Sequence, residues 1–165
     1  MNIVADSSPL IALAKIGQID LLEKLFGGIV IAGEVYTEVV VIGAGLPGAE
    51  ETRKASWIEV QPITGHANLL AAHSRFSLDM GELSTLVLAK EIRADLVLVD
   101  DLGARKLMRA EGFRIQGTIG ILEASFFRKY LADLRQAYMQ LLAKGVYLDR
   151  AFLDSRLKVL NLPPL

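Results

Sequence analysis

An α/β domain on a doubly wound, mainly parallel sheet flanked by helices is the fold class this sequence predicts, and three observations predict it. Short apolar runs alternate with helix-length amphipathic segments, the order that builds parallel β-α-β units. The runs Ile3-Val4-Ala5, Ile29-Val30-Ile31 and Leu96-Val97-Leu98-Val99 are continuous. Strands that alternate apolar with polar residues leave one face in water, whereas continuous runs suit strands covered on both faces. Third, the segment from Ala132 to Leu160 holds helical patterns and no strand candidate. The expected organisation is therefore an α/β body over residues 1–131 with a helical extension, 132–165, packed on the same domain.

The elements follow in order. Asn2 to Ala5 reads as the first strand. Ser8 can cap the next helix, with Pro9 at its first position, where a missing N–H costs nothing. Leu10, Ile11, Leu13, Ala14 and Ile16 give that helix an apolar face ending at Gly17, and Ile19 to Phe26 forms a second helix stopped by Gly27-Gly28. Ile29 to Ile31 is strand two. Gly33 to Val41 mixes strand-forming Val, Tyr and Thr with Glu34 and Glu38 four apart on one helical face, and helix is the better assignment. Gly43 to Gly48 is a loop, Ala49 to Ala55 a short polar helix, and Trp57 to Val60 an edge strand. Asp79 to Arg93 is a strong helix, with Leu83, Leu86, Val87 and Ala89 on its apolar face. Leu96 to Val99 is the clearest strand. A helix from Asp101 to the Gly112 stop, a strand Phe113 to Ile115, and a helix opening at Gly117-Thr118 complete the body.

Composition narrows the chemistry. With 165 residues the chain is one domain by length, and 18 Lys and Arg against 19 Asp and Glu leave no net field to attract polyanions or membrane. Any polyanion site must be a local patch. Cysteine is absent, which removes disulfides, thiolate metal sites and thiol nucleophiles and fits a reducing, cytoplasmic setting. A 52% hydrophobic content and a mean hydropathy of +0.38 are high, yet charges interrupt every apolar stretch well before the roughly 20 residues a bilayer requires. Asp6 likewise breaks any signal-peptide pattern at the start.

Function is carried by acids at strand ends. Asp6 closes the first strand, and Asp100-Asp101 closes Leu96 to Val99. In an open α/β sheet ligands bind outside the carboxyl ends of the strands, so these carboxylates converge on one volume. Like charges held together repel unless a cation lies between them, and hard oxygen donors suit Mg²⁺ or Mn²⁺. Asp6 has the least structural work, since Ser8 and Pro9 already start the helix. Of the vicinal pair, one faces the site and the other caps the following helix. Glu82, in the first turn of its helix, and Glu38 are further candidates, although a helix N-terminus favours an acid in any case. His66 and His73 stand two helical turns apart, too far to share a metal. The glycines at 43, 45 and 48 lack the strand and the Lys-Ser/Thr of a phosphate loop, so no nucleotide cofactor is expected.

The segments IVADSSPLIALAKIGQIDLLEKLFG, EVYTEVV, DMGELSTLVLAKEIRADLVLVDDLGARKLMRAEGF and GTIGILEASF resemble a PIN domain over about residues 1–130, most closely the prokaryotic PIN-like relatives of VapC toxins that open with Asp-Ser-Ser-Pro-Leu. The resemblance implies a metal-dependent endoribonuclease whose acids gather at the carboxyl edge of the sheet around Mg²⁺ or Mn²⁺. The matching catalytic positions are Asp6, Glu38, Glu82 and Asp100 or Asp101, with Asp6, Glu82, Asp100 and Asp101 toward the metal. Many relatives carry Asp where Glu82 stands. After Ile115, where some relatives have another acid, this chain has Gln116-Gly117-Thr118, which leaves the Thr118 hydroxyl or water for any contact there.

Ser7 and Ser8 are placed to hydrogen-bond to the metal shell or the scissile phosphate. Arg105, with Lys106 and Arg109 behind it, is placed to grip the RNA backbone, a contact carrying little sequence information. The implied partners are an RNA substrate and the antitoxin of a toxin–antitoxin pair. A second copy of the chain could dock through the stripe Leu134, Tyr138, Leu141 and Leu142. Two alternatives stand beside the nuclease: a PIN-like fold that binds RNA or a partner without cutting, and a receiver-like signalling domain. The second expects its acid pair after the first strand and a Lys after the last, where this chain has a single acid and Gln116.

Overall fold

The computed structural model describes residues 1–165, the side chains of Leu70 and Ala72 excepted. Five strands, β1 (Ile3–Ala5), β2 (Ile29–Ala32), β3 (Ile58–Gln61), β4 (Leu96–Leu98) and β5 (Ile115–Gln116), form one all-parallel sheet in the order β3-β2-β1-β4-β5. The chain winds outward from β1 to one edge and then returns to add β4 on the other side, so the order reverses between β1 and β4. A crevice opens at such a switch point, beyond the carboxyl ends of the two strands. Ala5 lies beside Leu98, and the Asp6 N–H donates to the Leu98 carbonyl at 2.9 Å, which sets Asp6 at that crevice. The receiver order is 2-1-3-4-5, and this sheet does not have it.

The continuous apolar runs are explained by cover on both faces. Ile3, Val4, Ala5, Val97, Leu98 and Val99 are all buried. Helix α6 (Met80–Glu91) packs on β1 and β2, and it is so enclosed that Ser84 and Thr85 are buried along with Leu83, Leu86 and Val87. Helices α1 (Ser7–Lys15) and α2 (Leu21–Phe26) both pack against α8 (Thr118–Phe127). The remaining helices of the body are α4 (Ala49–Lys54), α5 (His66–Arg75) and α7 (Leu102–Ala110).

Two local expectations change. Helix α1 begins two residues early, at Ser7, so Ser8 is not its cap and Pro9 sits at the third position, where the N–H also has no intrahelical partner. Asp6 occupies the cap position in extended conformation, yet its side chain makes no capping bond to the turn that follows. The segment after β2 is helical, as expected, but only α3 (Gly33–Tyr36) is an α-helix. It continues as a π-helical turn, Thr37–Ile42, closed by the Gly43 N–H donating to the Glu38 carbonyl at 3.0 Å. Such turns recur at functional sites.

The C-terminal helices α9 (Leu134–Ala143) and α10 (Arg150–Val159) add Leu134, Tyr138, Leu141, Leu153 and Leu157 to the same core. The stripe considered for docking a second copy is thus covered by the chain itself. Glu123 of α8 holds both helices, accepting from Arg156 Nε and Nη2 at 2.8 and 2.7 Å and from the Tyr138 hydroxyl at 3.0 Å. No helix among the described residues is long and apolar enough to cross a membrane.

Candidate active site

The site begins with Asp6. Its position at the end of β1 buries the carboxyl almost completely, at 2% exposure, against the first turn of α1 and the flank of α6. Oδ2 accepts from the Ser8 hydroxyl at 3.2 Å and Oδ1 from the Thr85 hydroxyl at 3.3 Å, both weak by length. Burial pushes its pKa up to about 6, and the nearby Glu38 and Asp79 carboxylates push the same way, against the lowering effect of the Ser7 N–H. An acid left there with no cation is held partly against its ionisation.

Glu38 reaches the same place from the π-turn. Its Oε1 accepts from the Ser7 hydroxyl at 3.0 Å. On its other side lies Gly81, in the first turn of α6. A Cβ built there would stand 2.6 Å from Glu38 Oε2, 3.4 Å from Asp79 Oδ1 and 3.7 Å from Asp6 Oδ1. Three carboxylates from three separate segments therefore surround one point above a glycine.

Glu82 and Asp79 are joined in a capping box at the start of α6: Asp79 Oδ1 accepts from the Glu82 N–H at 2.8 Å, and Glu82 Oε2 from the Asp79 N–H at 3.1 Å. Partial burial raises the Glu82 carboxyl to about 7, and the charges of Asp79, Asp101 and Asp6 add to the rise.

Each member of the vicinal pair has a capping task. Asp101 starts α7, accepting from the Ala104 N–H at 2.8 Å. Asp100 caps a helix other than its own: its oxygens accept the Thr118 N–H and the Thr118 hydroxyl, each at 2.6 Å, at the start of α8. Gly117 has no side chain to do so, and a Cβ on it would lie 2.8 Å from both Asp100 Oδ1 and Arg105 Nη1. The Arg105 guanidinium is thereby placed beside Asp100 at the carboxyl edge. Thr118, considered as a metal or substrate contact, instead spends its hydroxyl on Asp100.

Two residues escaped the reading of the sequence. Glu34, read only as a helix-face acid four residues from Glu38, lines an open cleft of about 480 Å³ with Thr37, Glu38, Asp79 and Met80, and its Oε2 is buried without a hydrogen-bond partner. The four-residue spacing to Glu38 was the available signal. Asp79, read only as a helix start, is the second, and its signal was the Asp-x-x-Glu of the capping box.

All these donors are hard oxygens and their charges repel, which fits a divalent cation of the Mg²⁺ or Mn²⁺ kind. The space that a Cβ at position 81 would fill is where three of them meet. As the side chains stand, no three acids or histidines among the described residues are gathered closely enough to ligate one ion. Glu82, turned back to the Asp79 N–H, has to rotate to take part.

A family model described as a PIN domain matches residues 2–161. No curated protein matches the chain significantly.

Proposed function

We propose that this chain, which belongs to the PIN-domain family, is a divalent-metal-dependent endoribonuclease that hydrolyses phosphodiester bonds in RNA. PIN domains are generally nucleases and typically use divalent metals. The observation that carries the reading is the meeting of Asp6, Glu38 and Asp79 over Gly81 at the switch point, with Asp6 and Glu82 held against ionisation.

Asp6, Glu38 and Glu82 would hold the cation, with Asp100 or Asp101 completing the set from the neighbouring strand. When bound, a divalent ion supplies charge neutralisation at the phosphate and a more acidic attacking water. The protein does the rest. Ser7 fixes one oxygen of Glu38, and Ser8 and Thr85 orient Asp6. Arg105, half-buried beside Asp100, binds a backbone phosphate and sets the scissile bond against the acids. Contacts of that kind position RNA without reading its bases.

The likeness of the opening Asp6-Ser7-Ser8-Pro9-Leu10 to prokaryotic PIN-like relatives of VapC toxins supports a place as the toxin of a toxin–antitoxin pair, with a partner protein as its restraint. A non-cutting RNA- or partner-binding module is the second reading, favoured by the capping bonds that occupy Asp100 and Asp101. A labelled RNA panel incubated with purified protein in Mn²⁺, Mg²⁺ or EDTA separates the two. The nuclease cuts in either metal and stops in EDTA; RNA retained on the protein but uncut in every condition supports the binding module.

A further inference from the structure

We propose that Gly81 is a positioning residue for the cation centre: its missing side chain is the space in which the Glu38 carboxylate sits beside Asp6. The proposal rests on the reading of this site as a cation centre and adds a determinant outside the acids. Gly81 is buried in the first turn of α6, with helical backbone that any L residue adopts. Its conformation therefore does not call for glycine. By helix propensity alanine is the better residue there.

What calls for glycine is the neighbour across the gap. A Cβ at position 81 would stand 2.6 Å from Glu38 Oε2, a separation real Cβ atoms essentially never show. Glu38 Oε2 is the free end of a flexible side chain, so relief is cheap for the fold: the glutamate swings away and α6 stays. That swing pulls Oε1 from the Ser7 hydroxyl, now 3.0 Å away, and takes one of the three carboxylates out of the cluster. The energetic burden of a methyl group thus falls on the site and not on the core. Gly33 makes a matched control: it opens α3, and a Cβ there would meet nothing within 4 Å.

The test uses the full chain as wild type, Gly81→Ala, Gly33→Ala, Glu38→Asp and the double variant Glu38→Asp/Gly81→Ala. Crystal structures and Mn²⁺ titrations by calorimetry are the readouts, with thermal melts to show folding. The expected result is a Gly81→Ala protein that melts no lower than wild type, has Glu38 displaced by more than an ångström from Ser7, and binds Mn²⁺ at least tenfold more weakly. Gly33→Ala binds as wild type. Glu38→Asp, one methylene shorter, weakens binding by itself, and adding Gly81→Ala to it costs less than twofold more, because the contact has already been removed. Glu38 unmoved in Gly81→Ala overturns the proposal, and so does Mn²⁺ affinity within twofold of wild type once it has moved. A wild-type protein that binds no Mn²⁺ sinks the cation-centre reading itself, and the proposal with it.

Discussion

Asp100 caps a helix to which it does not belong: both of its carboxylate oxygens, at 2.6 Å, accept from Thr118 at the start of α8, where the preceding Gly117 offers no side chain. Removing the carboxylate should cost about 1–2 kcal/mol, as loss of a cap does. Asp100→Ala is expected to lower the denaturant midpoint by that amount, and Asp100→Asn by less, since the amide oxygen still accepts one bond. Thr118→Val, which keeps the N–H and loses the hydroxyl, should fall between them.

Asp101 is the N-cap of its own helix, α7, accepting the Ala104 N–H, so Asp101→Ala is expected to cost about 1 kcal/mol in equilibrium unfolding. Asp101→Ser restores the cap and should recover most of it. Asn at both 100 and 101 keeps two acceptors and removes two charges. That double variant should remain folded and lose Mn²⁺ binding, measured by calorimetry.

Proton release offers a separate check on Glu82. With its carboxyl raised to about 7 by burial and by Asp79, Asp101 and Asp6, a good part of the population is protonated at pH 6, and binding a cation must expel that proton. Mn²⁺ affinity should therefore rise between pH 6 and 8 and level off above. Calorimetry in buffers of different ionisation enthalpy should show more protons released at pH 6 than at pH 8 in wild type, with that difference reduced in Glu82→Gln.

The ion pair of Glu123 with Arg156 ties α10 to α8, with Glu123 largely buried. Glu123→Ala leaves the Tyr138 hydroxyl and the guanidinium without their acceptor. A loss of about 2–3 kcal/mol in chemical denaturation is expected, within the range for stranded buried polar groups. Mn²⁺ affinity should be unchanged, because none of these residues contacts the acids.

Much of this arrangement was legible in the amino-acid order. The runs at Ile3 and Leu96 are continuous because both faces are covered, and the acids that close them, Asp6 and Asp100, mark the carboxyl edge of the sheet. Glu38 was harder to place, since its helix is finished by a π-turn, and one extra residue per turn re-aims every side chain on it. The capping assignments were reversed at α1, where Ser8 bonds to Asp6 instead of to the helix backbone. A local pattern cannot show that Asp100 reaches eighteen residues ahead to Thr118; the parallel pairing of β4 with β5 brings them together. Asp79 and Glu34 resemble surface acids in one dimension, and only the packing of α3 on α6 makes them neighbours of the site.

On the proposed function, Asp6 is a buried charge kept for a cation, at a cost to stability. Its folded-state pKa of about 6 lies above the ordinary 3.8, so the folded protein binds the proton more tightly than the unfolded chain. The contribution of Asp6 is most favourable below pH 3.8 and is lost as pH rises through about 6, leaving on the order of 2–3 kcal/mol of destabilisation at pH 7. The measurement is the thermal melt of wild type and Asp6→Asn at pH 7, each in EDTA and in saturating Mn²⁺. In EDTA the variant should melt roughly 5–10 °C above wild type. Mn²⁺ should raise the wild type markedly and leave the variant unmoved. An Asp6→Asn protein that melts below wild type in EDTA, or gains as much from Mn²⁺, would contradict the account.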